Sequence, residues 1–357
     1  MIVIYSFTEK GRELAGRLKN ILDNKRDDKR DNKRDNKRAG ESARDDFSLF
    51  KTGGVQSFYQ SVATLEQYMV HGNLLIFIGA SGIAVRSIAP YLKGKEKDAA
   101  VLVADEKGQF IISLLSGHLG GANACCKSLA CLLGATPVIT TATDVWQLWA
   151  VDEFARKNHY YLYPLQAVCR VSAKVLKGET VYCFGEQEKT MKCLLEDSRG
   201  CCVRTCDRQK ADIVVLDWEE YKTLENCEDK LFLLPKDLCL GLGCKKGKDG
   251  AAISRFVRQT FAREKIDIER IQELHTIDLK KEEQGIFDFA AELGVPVFFH
   301  TAEELRKVPG QFSASLFVQE KTGVDNVCER SAAVMGGKLI LSKTSDNGIT
   351  LACAKYR

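Results

Sequence analysis

Between residues 74 and 143, short apolar runs alternate with stretches of helical pattern, and this alternation limits the fold more than any other feature. The runs LLIFIGA, AVLVA, FIISLL and PVITT have the length and composition of buried strands, and helical patterns such as IAVRSIAPYL separate several of them. Such alternation predicts an α/β fold, with doubly wound sheets between two layers of helices. Ligands of these sheets bind beyond the carboxyl ends of the strands, where the glycine-rich loops lie.

The 357 residues are enough for two or three domains. We place an N-terminal α/β domain at residues 1–144, a smaller middle α/β domain at 145–230 and a C-terminal α/β domain at 231–357. The runs VYCFG and IVVLD supply strands of the middle domain, and LFLLPKDLCLGLGC opens the C-terminal domain. The turn residues DNG at 346–348 predict a hairpin between the last two strands.

A charged insertion at residues 23–46 interrupts the N-terminal domain. Its first part, DNKRDDKRDNKRDNKR at 23–38, contains no apolar residue, so we expect it to be solvated. The whole chain carries a net charge of only +4. A nearly neutral body argues against a nucleic-acid-binding protein, which needs clustered cations.

The length of the apolar runs, the first residues and the cysteine content together predict a protein of the cytoplasm. The longest uncharged apolar run, residues 74–85, is too short for a membrane-spanning helix. The first residues have the pattern of a strand and a helix and lack the basic start of a signal peptide. The 14 cysteines are too sparse for a disulfide scaffold, and a reducing compartment fits them best.

The segment IFIGASGIAVRSIAP at 76–90 joins the end of a buried strand at Gly79 to the start of a helix. The amides that follow Ser81 and Gly82 would attract an anion, and Arg86, about one turn into the helix, would reach the same anion. Glycines that only allow tight packing between strand and helix explain the segment equally well.

The segment SLLSGHLGGAN at 113–123 places His118 between glycines, at the junction of a strand and a long helix. His118 is therefore the candidate general acid or base near neutral pH. The amides of Gly120 and Gly121 are the candidate donors to an oxyanion. The alternative is that His118 only caps the helix. Further candidate ligand contacts in this segment are Ser116, Gly117 and Asn123. In the segment PVITTATD at 137–144, the hydroxyl groups of Thr140 and Thr141 are candidates as well.

The segment LGLGCKKG at 240–247 follows a strand and precedes a helix. Its glycine spacing is one residue longer than the dinucleotide fingerprint, and it lacks the GK[ST] of a P-loop, so we exclude NAD and ATP. An anion-binding loop that uses Gly243, Lys245 and Lys246 is the hypothesis that remains.

Two charged segments, at 275–286 and 322–333, open helices near the end of the chain. Lys280 and Asn326 are candidate ligand contacts, and Glu329 is placed to present a carboxylate at a site. Taken without a fold, helix caps and ion pairs explain these residues better. No histidine lies near the clustered cysteines at 201–206, 239 and 244, so we predict no metal site.

Taken in order, five segments resemble the motifs of the cobalt-precorrin-5A hydrolases, the CbiG family of anaerobic cobalamin biosynthesis. They are GASGIAVRSIAP, LLSGHLGGAN with GATPVITTATD, LGLGCKKG, LKKEEQG and TGVDNVCERSAA. The resemblance runs from about Leu74 to the C-terminus. It implies a three-part α/β protein whose C-terminal domain is similar to the CobE protein of the aerobic pathway. The implied reaction opens the δ-lactone of cobalt-precorrin 5A and releases acetaldehyde, which gives cobalt-precorrin 5B.

The resemblance also implies roles for single residues. Lactone opening needs a base, an oxyanion donor and an acid, for which His118 and the glycine amides are candidates, with Glu329 as a second acid. Cations for the peripheral carboxylates would be Arg86, Lys245, Lys246 and Lys280. The two lysines stand where the family commonly has arginines, which keeps the charge but loses the bidentate contact. No cofactor is implied, because cobalt arrives inside the substrate.

Two other functions stay open from the sequence. A non-catalytic tetrapyrrole carrier would share the anion-binding loops, and an interaction protein would use the basic repeat to bind nucleic acid with a steep salt dependence. We expect the substrate as partner, with no nucleic acid and no membrane, and the sequence leaves a homodimer open. The site hypothesis has one geometric premise: the glycine loops and cations share a hollow at one end of the parallel strands, beside His118.

Overall fold

The computed structural model describes residues 1–27, 55–94, 97–224 and 229–356. Apart from residues 23–27, the predicted charged insertion lies outside these ranges. Strands of the described ranges form three mixed sheets with packed helices, which confirms the α/β class. The chain divides into two compact units, Met1–Val138 with Leu238–Arg357, and Ile139–Asp237. Among the described residues, no helix is both long enough and apolar enough to cross a membrane.

The N-terminal sheet has the strand order β2-β1-β3-β4-β5-β6. Its strands are β1 (Ile2–Ser6), β2 (Val55–Tyr59), β3 (Leu74–Ile78), β4 (Ala100–Ala104), β5 (Phe110–Leu115) and β6 (Thr136–Val138). Its helices are α1 (Glu9–Asp27), α2 (Leu65–Tyr68), α3 (Ser81–Ile88) and α4 (Ala122–Leu133). Along β1, Val3 and Tyr5 pack with residues of α2 and α3, whereas Ile2 and Ile4 alternate with them and are also fully buried. Both faces of the sheet are therefore covered.

Strand direction in this sheet differs from the sequence expectation. Strands β1 to β4 are parallel, but β5 runs antiparallel to β4, and β6 runs parallel to β5. The carboxyl ends of β1 to β4 lie at one edge, which we call the first edge, and those of β5 and β6 lie at the opposite, second edge. A strand of five residues is about 16 Å long, so the edges are separated by roughly that distance.

The middle sheet lies in the second unit and has the order β7-β11-β10-β8-β9. Its strands are β7 (Tyr160–Tyr163), β8 (Val181–Gly185), β9 (Cys202–Arg204), β10 (Ile213–Val215) and β11 (Leu231–Pro235). The helices of this unit are α5 (Ala142–Val145), α6 (Val151–Asn158), α7 (Leu165–Leu176), α8 (Glu188–Asp197) and α9 (Trp218–Lys222). Strand β11 pairs with β10 and β7. The predicted boundary at 230/231 is therefore wrong, and the C-terminal domain begins at Leu238.

The C-terminal sheet has the order β14-β13-β12-β16-β15. Its strands are β12 (Leu238–Cys244), β13 (Ile271–Ile277), β14 (Val297–His300), β15 (Lys338–Asp346) and β16 (Ile349–Lys355). Its helices are α10 (Gly250–Arg263), α11 (Gln284–Leu293), α12 (Ala302–Arg306), α13 (Leu316–Thr322) and α14 (Cys328–Ala333).

One edge of this C-terminal sheet collects most of its loops. Strands β12, β13 and β14 are parallel, and β16 runs antiparallel to β12 and to β15. The carboxyl ends of β12 to β15 and the start of β16 therefore share an edge, which we call the loop edge. The predicted hairpin is confirmed, since Asn347 and Gly348 join β15 to β16 with positive φ angles of 48° and 76°.

Candidate functional site

The glycine loop after β3 lies at the first edge of the N-terminal sheet. Gly79 has a φ of 147° and donates its amide to the carbonyl of Ala104 at 2.9 Å, which ties the loop to the end of β4. Helix α3 begins two residues later. Nη1 of Arg86 lies 3.5 Å from the position that a Cβ on Gly82 would occupy. The guanidinium therefore folds back over the helix start that also carries the exposed Ser81.

The loop from Ser116 to Asn123 is tightly packed around its own backbone. Ser116 has a φ of 55°, and its carbonyl accepts a hydrogen bond from Ala122 at 3.2 Å. A Cβ on Gly117 would lie 2.7 Å from Oδ1 of Asn123, and one on Gly120 would lie 2.5 Å from Cβ of Ser116. Asn123 is buried, and its Oδ1 accepts the hydroxyl proton of Ser113 at 2.6 Å. The glycines are needed for this close packing.

The same packing changes one predicted role. The amide of Gly121 donates to the carbonyl of His118 at 3.0 Å, so it is not the oxyanion donor that the sequence suggests. Gly120 and Gly121 are both buried, whereas His118 is partly exposed. The loop therefore presents the imidazole rather than its glycine amides.

The two N-terminal loops do not share a hollow. The loop with Gly79 and Arg86 follows β3 at the first edge, whereas the loop with His118 follows β5 at the second edge. The hydroxyl of Ser116 donates to the carbonyl of Asp98, just before β4 begins, at 3.4 Å. The premise that all glycine loops meet at one end of the parallel strands is therefore wrong, because β5 reverses direction.

The third predicted loop, after β12, lies at the loop edge of the C-terminal sheet. The carbonyl of Gly243 accepts the hydroxyl proton of Thr350 at 3.3 Å, and the amide of Lys245 donates to the carbonyl of Gly348 at 2.8 Å. These bonds hold the loop against the β15–β16 hairpin. Lys245 and Lys246 are exposed, so their charges are available to an anion.

Lys280 lies at the same edge, but its charge is already paired. Its ammonium is 3.3 Å from Oε1 of Glu283, and the amide of Gly247 donates to Oε2 of the same carboxylate at 2.7 Å. Glu283 is 8% exposed. The pair therefore fastens the β12 loop to the start of α11, and Lys280 is a weaker candidate for substrate binding than Lys245 or Lys246.

Glu329, at the start of α14, is 3% exposed and saturated with hydrogen bonds. Its Oε2 accepts from the amide and the hydroxyl of Ser313, at 2.8 and 3.1 Å, and from Nδ2 of Asn326 at 2.8 Å. Its Oε1 accepts from the amide of Lys343 at 2.8 Å. A carboxylate held in this way positions the loop at Ser313 and strand β15. The geometry favours a positioning role for Glu329 and Asn326 over proton transfer.

The sequence did not point to Ser313, Lys343 or Thr350, which the structure adds to this cluster. Ser313 lies in a loop without a motif, and Lys343 and Thr350 lie in ordinary strand patterns, so only the fold reveals them. Cys328 lies beside Thr350 and is 1% exposed. Burial raises the pKa of its thiol to about 11, so it is no nucleophile at neutral pH.

The second edge of the N-terminal sheet faces helix α11 of the C-terminal sheet. A Cβ on Gly72 would lie 3.2 Å from the carbonyl oxygen of Ala291. A cavity of about 470 Å³ lies at this junction, lined on one side by Gln67 and Asn73 and on the other by Gln284 and Asp288. The second edge, which also carries the His118 loop, and the start of α11 at the loop edge therefore meet at one junction.

Thr140 and Thr141 belong to the second unit. Thr141 directly precedes the short helix α5, Thr140 is exposed and Thr141 is partly exposed. Their hydroxyl groups remain candidates for a polar ligand of that unit.

The described residues contain no group of three or more His, Cys, Asp or Glu side chains that could hold a metal ion. Cys239 is fully buried, and burial raises the pKa of its thiol. In the middle sheet, Cys183 of β8 and Cys202 of β9, which lie next to each other, are also buried. These thiols pack as small apolar side chains.

Comparison with known proteins agrees with the resemblance seen in the sequence. The family description "Cobalamin synthesis G N-terminal" matches residues 63–144, and "Cobalamin synthesis G C-terminus" matches residues 238–354. The second match begins where β12 begins. Every candidate residue named above from the sequence lies in one of these ranges.

Individual relatives extend over most of the chain. A cobalt-precorrin-5A hydrolase of Salmonella typhimurium is 35% identical over 295 residues, 81% of this chain and 83% of that protein. One of Priestia megaterium is 33% identical over 298 residues, 79% of each chain. The crystal structure of CobE, a protein from the cobalamin biosynthetic pathway, is 26% identical and covers 34% of this chain and 90% of that one, with a TM-score of 0.32. The chain therefore belongs to the cobalamin synthesis G family, in which its curated relatives are cobalt-precorrin-5A hydrolases.

Proposed function

We propose that this protein is a cobalt-precorrin-5A hydrolase that opens the δ-lactone of its substrate and releases acetaldehyde. The observation that carries the proposal is the 35% identity to a hydrolase of this name over 81% of the chain. Family matches to both ends of the chain support it, because they contain the His118 loop and the loop edge.

We assign the macrocycle to the junction between the second edge of the N-terminal sheet and the loop edge of the C-terminal sheet. His118 lies on the first of these, and the exposed Lys245 and Lys246 lie on the second. The substrate carries several carboxylates, so exposed ammonium groups and a partly exposed imidazole suit it. Gly79, Ser81, Gly82 and Arg86 lie at the opposite edge and are left out of this assignment.

The reaction has two steps, and in each of them one imidazole can take up a proton and deliver it again. In the first step His118 takes a proton from water as the water adds to the lactone carbonyl, and it returns the proton as the ring oxygen leaves. In the second step the freed alcohol loses its proton and becomes the aldehyde carbonyl. The carbon–carbon bond breaks, and its electron pair passes into the conjugated macrocycle, which takes up a proton. Cobalt enters and leaves as part of the substrate.

The test is turnover of cobalt-precorrin 5A by the purified full-length protein, with acetaldehyde measured by a coupled alcohol dehydrogenase. We expect one acetaldehyde for each substrate, together with a change in the absorbance spectrum. A carrier would bind the substrate and shift its spectrum but release no acetaldehyde, and that result would refute the proposal.

Two single variants, each with a histidine replaced, test the role of His118. We expect His118→Asn to lower kcat by about 100-fold or more, the usual effect of losing a general acid–base group. His159→Asn, in the second unit, is the matched control and should retain the wild-type rate. Wild-type turnover by His118→Asn would remove His118 from the mechanism.

A further inference from the structure

One face of the middle sheet is only half covered. Helix α9 packs over β7 and β11, where Trp218 stacks on Tyr161 and Tyr221 meets Phe232 edge to face. On the other half, Tyr182 of β8 and Val203 of β9 lie side by side, and they are 42% and 46% exposed. Large apolar side chains that lie together on a surface are typical of a binding surface.

Arg208 lies over the same face of β8, and two nitrogens of its guanidinium lack hydrogen-bond partners within the described ranges. Its guanidinium lies 5.8 Å from the centre of the Phe184 ring, next along β8 on the face that carries Tyr182. Nε and Nη2 of Arg208 are buried, and within the described ranges neither has a hydrogen-bond partner. Buried donors are nearly always paired, since an unpaired one loses its hydration without compensation. The unpaired donors therefore point to a ligand.

Two other arginines in the chain show what the Nε and Nη2 side of a guanidinium binds. Arg330 uses Nε and Nη2 to grip both oxygens of Asp325, at 2.6 and 3.0 Å. Arg258 directs the same two atoms at Oε1 of Glu292, at 3.1 and 2.7 Å. Arg208 offers the same pair of donors to no carboxylate of the chain within the described ranges. Its match is a carboxylate from outside the described residues.

Two lysines lie near Arg208, but each already has a carboxylate of the chain beside it. Below the same turn, the ammonium of Lys230 is held by the carbonyls of Gln209 and Ala211, at 2.7 and 3.1 Å. Lys210 lies on the exposed side of the turn, 3.9 Å from Oδ2 of Asp207, and Lys230 lies 3.8 Å from Oδ2 of Asp229. Within the described residues, Arg208 is therefore the one of these three cations with unpaired donors. Arg208 is itself partly exposed, at the start of a one-turn 3₁₀ helix.

We propose that this half-covered face is a binding site for a carboxylate on a flat conjugated molecule. The carboxylate pairs with Nε and Nη2 of Arg208, and the apolar plane lies on Tyr182 and Val203. The ligand class is a corrinoid with free peripheral carboxylates, and this identification rests on the proposed function. Neither family match covers the middle domain, and this site gives that domain a ligand.

The test compares two probes, cobyrinic acid, a cobalt corrin with free peripheral carboxylates, and its full methyl ester, which has none. Binding of each to the full-length protein is measured by equilibrium dialysis. We expect Arg208→Gln to weaken binding of the acid about tenfold relative to the ester. Arg208→Lys keeps the charge without the bidentate edge and should lose most of the same preference.

Arg204→Gln is the matched control. Arg204 ends strand β9 of the same sheet, four residues before Arg208, and its guanidinium is already paired with Glu188 at 2.7 Å and with the carbonyl of Gly185 at 3.0 Å. The Arg204→Gln variant should leave the preference for the acid over the ester unchanged. A thermal melt checks that each variant is folded. Equal binding of the acid by folded Arg208→Gln and wild type would overturn the proposal, as would an equal loss for acid and ester. These outcomes are read from dialysis alone, so they are separate from any failure of acetaldehyde release.

Discussion

Replacing Glu329 by Gln separates a positioning role from a catalytic one. The side chain is 3% exposed, and its two oxygens accept hydrogen bonds from Ser313, Asn326 and Lys343. A glutamine amide has only one oxygen, so its NH₂ group must face a donor. The least disruptive orientation leaves the Lys343 amide unpaired and keeps the bonds to Ser313 and Asn326.

The cost follows from that orientation. An unpaired buried donor costs about 1–3 kcal/mol, and weakening the remaining charge-assisted bonds brings the total to about 2–4 kcal/mol. At a factor of ten for each ~1.4 kcal/mol, amide exchange at Ser313 and Lys343 should become roughly 30- to 1000-fold faster.

Hydrogen–deuterium exchange followed by mass spectrometry of peptides that contain Ser313 and Lys343 measures this effect. Glu320→Gln, on the exposed side of α13, is the matched control and should leave both peptides unchanged. If Glu329→Gln exchanged like the wild type but had lost acetaldehyde release, the positioning argument would be wrong, and Glu329 would be the acid predicted from the sequence.

Three further outcomes follow from local geometry. Gly120→Ala, where a Cβ would lie 2.5 Å from the nearest side chain, should disrupt the His118 loop and lower the melting temperature, whereas Gly16→Ala, in open space on α1, should stabilise the protein by about 1 kcal/mol. Burial raises the pKa of Cys328 to about 11, so roughly one molecule in a thousand carries its thiolate at pH 8; iodoacetamide should label it only after unfolding, and rapid labelling of the native protein would contradict its burial. The hydrogen bond from Arg330 lowers the pKa of Asp325, so this carboxylate stabilises the fold fully above its ordinary value of 3.8 and less as the pH falls below it. The melting temperatures of wild type and Asp325→Asn should therefore differ at pH 6 and converge in acid; a constant difference would contradict this assignment.

The sequence predicts the strands well because buried runs are local signals. Strands β3 and β4, helix α3 and the final hairpin all lie where their patterns place them. The direction of β5 was missed, although residues 105–109 carry the signal. A crossover between parallel strands needs a dozen or more residues, so a connection of this length allows only an antiparallel pair.

That single direction decides which loops can meet. With β5 parallel, His118 would lie beside Gly79 and Arg86, whereas its reversal moves His118 to the edge that faces α11. The misplaced domain boundary has a different origin. The runs on either side of Lys236 and Asp237 look like one segment, and only strand pairing assigns them to different sheets. Long-range pairing of this kind leaves no trace in a local pattern.

Residues 139–237 are inserted between the two parts of the first unit, and this order has a consequence for synthesis on the ribosome. The N-terminal sheet is complete once Val138 has emerged, but α11, which covers its second edge at Gly72, emerges about 150 residues later. At translation speeds of about 5–20 residues per second, that edge waits roughly 8–30 seconds for its cover. The middle domain is contiguous in the chain and can fold during this interval, so the nascent protein passes through a stage in which this edge of the sheet is still open to chaperones.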